Sequence, residues 1–242
     1  MTTNILGVHV ENILFKDALS RISGFVTEPR FHLVTTVNAD FLLNASADPV
    51  FKVILNSADL SLPDGFGVVL CQRLFNPSHA TEKIAGADLV PRLCQTASLQ
   101  GWSLGLLGGE SYQDTDVCQL VKSKLLDTYP GLNVIYCSRE SSPEVFTEQI
   151  DLLFVAFGSP KQEKWLYANR HLLSNVRVGI GVGGTFDFIV GKRRRASGPL
   201  EALWRIFLEP KRLGRVLRAY VLFPIKILLS FRPLSRNPVN DY

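Results

Sequence analysis

The chain has 242 residues, 46% apolar and 20% charged, with a net charge of +4. That composition excludes a globally disordered chain and provides core enough for one large α/β domain, with or without an appendage. The charge is unevenly spread: residues 1–191 carry 14 Lys and Arg against 19 Asp and Glu, whereas residues 192–242 carry 12 against three. An acidic body that ends in a basic tail suits a partner with an anionic surface.

The cysteines (Cys71, Cys94, Cys118, Cys137) and the histidines (His9, His32, His79, His171) are scattered, with no C-x-x-C and no H-E-x-x-H. The cysteines read as reduced, mostly buried thiols of a cytosolic protein, forming neither a zinc site nor a disulfide frame. Met1–Asn4 shows no basic region followed by an apolar one, so no signal peptide is expected.

In chain order, Ile5–Val10 reads as a first strand, and Phe15–Val26 as an amphipathic helix with Phe15, Ala18, Leu19, Ile22 and Phe25 at helical spacing. Phe31–Val37 is β-rich, and helical segments follow over Ala39–Ala47 and Pro49–Ser57. The run Ser61-Leu62-Pro63-Asp64-Gly65-Phe66-Gly67 is a tight turn: Pro63 pre-sets its own φ, Gly65 tolerates φ > 0, and Asp64 stands between them. Helices are expected through Leu74 and, after the loop Asn76–Thr81 and the segment Lys83–Leu89, to about Ser98, then a buried strand at Ser103–Leu107 and a helix over Ser111–Tyr129. Asn133–Cys137, Leu152–Phe157 and Val176–Ile180 are further apolar strands. Strands alternating with helices predict a Rossmann-like α/β fold, a mostly parallel sheet covered on both faces.

Each chemically suggestive motif also has a plain structural reading. Asp64 is placed to act on a ligand where a strand gives way to a helix, or it only serves the turn. Gly179, Gly181 and Gly184 spell G-x-G-x-x-G, but late in the chain and before a poor helix, which favours close backbone packing or a ligand loop over a dinucleotide fingerprint. Asp114-Thr115-Asp116 matches a metal-holding D-x-D, yet it falls in the first turn of an expected helix, where acids suit the dipole. Gly158-Ser159-Pro160-Lys161-Gln162-Glu163 follows a strand and opens a helix. Ser159 is an expected N-cap, Pro160 an expected first helical residue, and Gln162 the returning half of a capping box. The same geometry offers amide N–H groups to a phosphate at the carboxyl edge of the sheet.

The tail mixes Lys211, Arg212, Arg215 and Arg218 with Leu213, Val216, Leu217 and Tyr220, ahead of the apolar run around Val221–Leu229. Its uncharged stretch is too short to span a bilayer. A basic face beside an apolar one fits a helix lying in a membrane interface; a packed terminal helix is the plain alternative. Stacking platforms for nucleic acid are not evident, so no nucleic-acid partner is expected.

Taken together, Thr36-Val37-Asn38-Ala39-Asp40, Ala58–Gly65, Ala85–Leu89, Leu107-Gly108-Gly109, Gly158–Glu163, Val182–Phe188 with Gly191, Arg195-Ala196, Glu209-Pro210 and Arg212 resemble the WecG/TagA/CpsF family of bacterial glycosyltransferases (glycosyltransferase family 26) from about residue 5 to 220. The resemblance implies an inverting enzyme that moves a sugar from a UDP-sugar donor to a polyprenyl-diphosphate-linked sugar acceptor. It implies work at the cytoplasmic face of the membrane, in the synthesis of a cell-surface polysaccharide and without a metal or other cofactor. It also implies a catalytic domain over residues 1–196 and a membrane-associating appendage over 197–242.

Carried over by motif, Asp64 matches the general base. Thr36, Asn38 and Gln162, with Gly158 beside the last, match the substrate pocket. Lys83 stands where most members have Arg, keeping the charge but not the bidentate fork. Arg205, Arg212 and Arg215 or Arg218 fall where appendage arginines meet a diphosphate. Ser197 replaces a usual Pro, and the segment between Tyr136 and Asp151 is shorter than usual, so the donor sugar does not carry over. The competing reading is a non-catalytic nucleotide-sugar or dinucleotide-binding protein with a membrane-binding tail. Self-association of the chain is left open.

Overall fold

In the computed structural model, which describes residues 1–109, 116–140, 146–192, 214 and 217–230, eight strands and the helices between them build one main sheet and one hairpin. The strands are β1 (Thr2–Ile5), β2 (Val8–Glu11), β3 (His32–Val37), β4 (Leu60–Pro63), β5 (Ser103–Gly108), β6 (Asn133–Ser138), β7 (Ile150–Ala156) and β8 (Val176–Gly181). The helices are α1 (Phe15–Thr27), α2 (Ala39–Ala47), α3 (Pro49–Asn56), α4 (Phe66–Phe75), α5 (Gly86–Gln100), α6 (Val117–Thr128), α7 (Lys161–Asn169) and α8 (Thr185–Ile189). A π-helical turn (Arg218–Leu222) then leads into α9 (Phe223–Ser230).

The main sheet has the order β4-β3-β8-β7-β5-β6, and every pairing in it is parallel. Parallel strands are covered on both faces, so their sequences run largely apolar and only the period-2 alternation sorts the two sides. On β7, Leu152 and Phe154 enter a core with Ala18 and Ile22 of α1, Leu89 and Leu93 of α5 and Val121 of α6. Leu153 and Val155 face the other way, into a core with Ile54 of α3 and Leu166 of α7. The Rossmann-like expectation therefore holds.

Three expectations need correction. Ile5–Val10 is not one strand: Leu6 (φ 53°) and Gly7 (φ 84°) reverse the chain, and β1 pairs antiparallel with β2 outside the main sheet. A two-residue turn with positive φ at both positions matches the twist of a hairpin. Next, α6 begins at Val117, because the Asp116 carboxylate accepts from the Cys118 N–H at 2.8 Å and caps the helix there. Finally, the structure joins Cys118 at the start of α6 to Cys137 on β6 as a disulfide, with their Cα atoms 6.1 Å apart. They are 19 residues apart in sequence and meet because α6 lies against β5 and β6, a proximity that cysteine spacing does not reveal. Cys71 and Cys94 are free and buried as expected, and burial pushes their thiols up to about 11 and about 12.

A third cluster packs the hairpin residues Ile5, Val8 and Val10 with α2, α4 and, from the tail, Phe223 and Ile227 of α9. The tail is thus docked beside the carboxyl edge of the sheet. Among the described residues no helix is long and apolar enough to cross a membrane. The expected boundary at 196/197 lies outside the described residues.

Candidate active site

A cavity of about 1100 Å³ opens beyond the carboxyl ends of β3, β4, β7 and β8. In open parallel sheets this is where ligands sit, because loops and helix starts converge there. Thr36 lines it from the end of β3 and Asn38 from the residue after it; Asp64 comes from the turn after β4, and Gly158 and Gln162 from the loop and helix start after β7. Lys83 reaches the rim from the segment before α5, and Arg218 and Tyr220 come from the tail. The Thr36, Asn38, Asp64, Lys83, Gly158, Gln162 and Arg218 singled out from the sequence therefore share one cavity. Arg205, Arg212 and Arg215 lie outside the described residues.

The Asp64 turn is built from its neighbours. The Asp64 N–H donates to Val37 O at 2.8 Å, continuing the β3–β4 ladder one residue past Pro63. Gly65 then takes φ 93°, a conformation that glycine adopts at no steric cost, and α4 starts at Phe66. The Ile84 N–H donates to Pro63 O at 2.7 Å, which draws Lys83 alongside the turn. Upstream, the Asp59 carboxylate accepts from the Leu33 N–H (3.0 Å) and from the Arg30 guanidinium (2.7 Å), so it serves the sheet.

Gln162 and Glu163 form the most deeply buried polar group of the wall. The Gln162 Oε1 accepts from the Gly158 N–H at 3.1 Å and from the Gly183 N–H at 3.0 Å, stapling the loop after β7 to the loop after β8. Its Nε2 donates to Glu163 Oε1 at 2.6 Å, which holds the amide in that orientation. Burial pushes the Glu163 carboxyl up to about 7, and its Oε2 has no hydrogen-bond partner. Gly181 is required here: a Cβ would stand 2.5 Å from Glu163 Oε1 and 2.6 Å from Gln162 Nε2. Gly179 of the same G-x-G-x-x-G would likewise press a Cβ to 2.7 Å from Phe31, so these two glycines serve packing, while Gly183 and Gly184 line the cavity.

Two details of the expected capping box differ. The helix starts at Lys161 with Pro160 at the N-cap and no side-chain cap, and the Ser159–Pro160 peptide is cis. Gln162 does turn back, but to Gly158 rather than to Ser159, because the loop bends one residue earlier.

Five of the helix starts form two contrasting groups. Those of α3 and α6, away from the cavity, are closed by the carboxylates of Asp48 and Asp116. Those of α4, α5 and α7, at Gly65, Ala85 and Pro160, have no side-chain cap, and each contributes to the cavity lining. Amide N–H groups without a capping side chain and the positive ends of three dipoles thus converge on one space, an arrangement suited to a polyanion. The α2 start differs again: Asn38 lines the cavity and also accepts from the Phe41 N–H at 3.1 Å.

Asp40 and Asn44 were not singled out from the sequence, although their i, i+4 spacing on α2 places them on one face. Arg218 donates to Asp40 Oδ1 at 2.8 Å and to Asn44 Oδ1 at 2.6 Å, tying the tail to the cavity mouth. Of the D-x-D, Asp116 is a helix cap, and Asp114 and Thr115 lie outside the described residues. No acidic, histidine or cysteine cluster suited to a metal occurs among the described residues.

An open α/β sheet whose carboxyl edge gathers a carboxylate, a lysine, an arginine and three helix starts without side-chain caps is suited to a large anionic ligand. The sequence model of the glycosyl transferase WecG/TagA/CpsF family matches residues 3–237, and the chain belongs to that family of glycosyltransferases. It is 32% identical over 224 residues to the N-acetylglucosaminyldiphosphoundecaprenol N-acetyl-beta-D-mannosaminyltransferase of Bacillus subtilis (strain 168), covering 87% of this chain and 85% of that one. It is 30% identical over 196 residues to the protein of the same name from Bacillus spizizenii, covering 76% of this chain and 74% of the relative.

Proposed function

We propose that the chain transfers a hexose or N-acetylhexosamine-type sugar from a UDP-sugar to a polyprenyl-diphosphate-linked sugar, with inversion, in cell-surface polysaccharide synthesis. The observation that carries this reading is the convergence of Asp64 with the helix starts of α4, α5 and α7 on one cavity. An acceptor hydroxyl is a poor nucleophile near neutral pH. The Asp64 carboxylate takes its proton as the oxygen attacks the anomeric carbon from the side opposite the UDP. The bond between that carbon and the phosphate oxygen breaks, and the negative charge that develops on UDP is stabilised by helix-start amides and by Lys83. Thr36, Asn38 and Gln162 shape the pocket, with Gln162 holding the Gly158 and Gly183 loops in register.

The acceptor follows from the relatives, whose names specify a diphosphoundecaprenol-linked N-acetylglucosamine. Arg218 lines the cavity mouth, and Arg205, Arg212 and Arg215 of the basic tail are assigned to the acceptor diphosphate on the resemblance alone. The tail from residue 197 would then hold the enzyme peripherally on the cytoplasmic face of the membrane.

The test is Asp64→Asn, assayed with a panel of UDP-sugars and a short-chain polyprenyl-diphosphate-linked sugar. Donor binding should persist while turnover falls about 10²-fold or more, the scale of a lost general base. A variant that keeps most of its rate at saturating acceptor would remove Asp64 from the mechanism. A parent protein that binds UDP-sugars but transfers none would favour the non-catalytic reading.

A further inference from the structure

Helix α4 carries an apolar stripe that the core does not use. Phe66, Leu70 and Leu74 recur every four residues and so share one side of the helix, and they are 69%, 43% and 68% exposed. The opposite side, Val68 and Gln72, is buried. Scattered exposed leucines are ordinary on a soluble protein, but three in register on one helix are a surface.

That surface does not end at α4. Phe223 of α9 lies beside it, 3.2 Å from where a Cβ on Gly67 would stand, and Phe223 and Ile227 are the inward side of α9. The outward side of α9 shows Ile225, Leu228 and Leu229, all exposed. A helix apolar on both its inner and outer sides has one partner too few in water. Basic residues flank the combined patch: the exposed Arg73 on α4 and the half-buried Lys226 on α9.

We infer that the α4 stripe is a membrane-contacting surface of the catalytic domain itself, and that together with the outward side of α9 it seats the cavity mouth on an anionic bilayer. Three observations select the bilayer as occupant. The stripe begins at Phe66, which also lines the cavity, so the apolar surface runs to the lip of the site. A prenyl-linked acceptor keeps its chain in the bilayer and must present its diphosphate at that lip. A second copy seated on α4 would instead cover the mouth. Arg73 and Lys226 complement anionic headgroups in the manner of interfacial helices. The inference rests on the lipid-linked acceptor proposed above and adds a contact outside the tail.

The experiment uses the full chain. Parent, Leu70→Ser/Leu74→Ser and, as a control on another helix, Leu99→Ser are sedimented with phosphatidylglycerol–phosphatidylcholine vesicles across a salt series. Their solution mass, and their transfer to a short-chain acceptor without vesicles, are measured in parallel. Neither Leu70 nor Leu74 lines the cavity, and both are exposed, so fold and short-chain transfer should be retained.

The double variant should lose at least tenfold in vesicle partitioning, most visibly at high salt where the basic contribution is screened, while Leu99→Ser matches the parent. Equal partitioning of the double variant and the parent, or a parent that does not partition, overturns the inference. So does a fall in solution mass on substitution, which would make the stripe a self-association face. If the parent transfers no sugar yet partitions through Leu70 and Leu74, the activity reading falls and the surface stands.

Discussion

On the wall of the cavity, Gln162 is almost wholly buried and staples two loops through two hydrogen bonds, with a third to the buried Glu163 fixing its amide. At its mouth, Arg218 reaches Asp40 and Asn44 through side chains that remain 40% and 31% exposed for the ion pair. Both contacts join segments far apart in sequence across the same space, yet solvent makes them energetically unlike. A buried polar group left without its partner costs its full desolvation, whereas an exposed ion pair gains little over water. The wall is therefore built to keep its shape, while the ion pair at the mouth adds little to the hold on the tail, which rests on the buried Phe223 and Ile227. On the proposed reading, a rigid wall would keep the reacting groups aligned.

The largest effect should come from the wall carboxyl. Burial raises Glu163 from 4.5 to about 7, so the folded chain holds this proton more tightly than the unfolded one. Stability from this group is then full below about pH 4.5 and is lost as pH rises to about 7, a swing of about 3 kcal/mol on the scale of 1.36 kcal/mol per pH unit. Glu163→Gln keeps the acceptor for Gln162 Nε2 without the charge. Chemical denaturation from pH 4.5 to 8 should show the fall in the parent and a flatter profile in the variant. Parallel profiles would mean that Glu163 is ionised in the fold at no cost.

Next is Gly181→Ala, which drives a methyl group into the staple. Overpacking of this kind costs about 1–3 kcal/mol. The melting temperature should fall by several degrees, at about 2–4 °C per kcal/mol for a chain of this size. The variant should also lose transfer activity out of proportion to its stability, because the Gln162 amide is displaced. An unchanged melting temperature would show that the wall yields as readily as the mouth.

The smallest effect is expected at the mouth. Asp40→Ala removes the exposed ion pair and should cost less than about 1 kcal/mol. The change should appear mainly as a raised KM for a polyprenyl-linked acceptor, with kcat nearly unaltered. A cost comparable to that of Gly181→Ala would erase the distinction between wall and mouth.

Much of this was legible in the sequence because it depends on local rules. The apolar runs 31–37, 103–107, 133–137, 152–157 and 176–180 all became parallel strands, since strands buried on both faces need continuous apolar residues. The Pro63-Asp64-Gly65 turn was legible because Gly65 alone there accepts φ 93° without strain. Turn, cap and charge chemistry pointed to Asp64, the Gly158–Glu163 loop and the basic tail with Arg218, and the motif resemblance added Thr36, Asn38 and Lys83, but neither gave their arrangement in space.

What tertiary structure decided is whatever joins distant segments. Gln162 looked like half of a local capping box; its second partner, the Gly183 amide, is 21 residues away and comes within reach only because β7 and β8 are neighbours in the sheet. Asp40 and Arg218 are separated by 178 residues and meet only where the tail docks. The pairing of Cys118 with Cys137 and the burial of Glu163 are of the same kind. Side-chain chemistry and local backbone preference act within a few residues and can be read along the chain. Burial, pairing and the shift of a titrating group depend on which strands lie side by side, and that is set by packing the whole sheet at once.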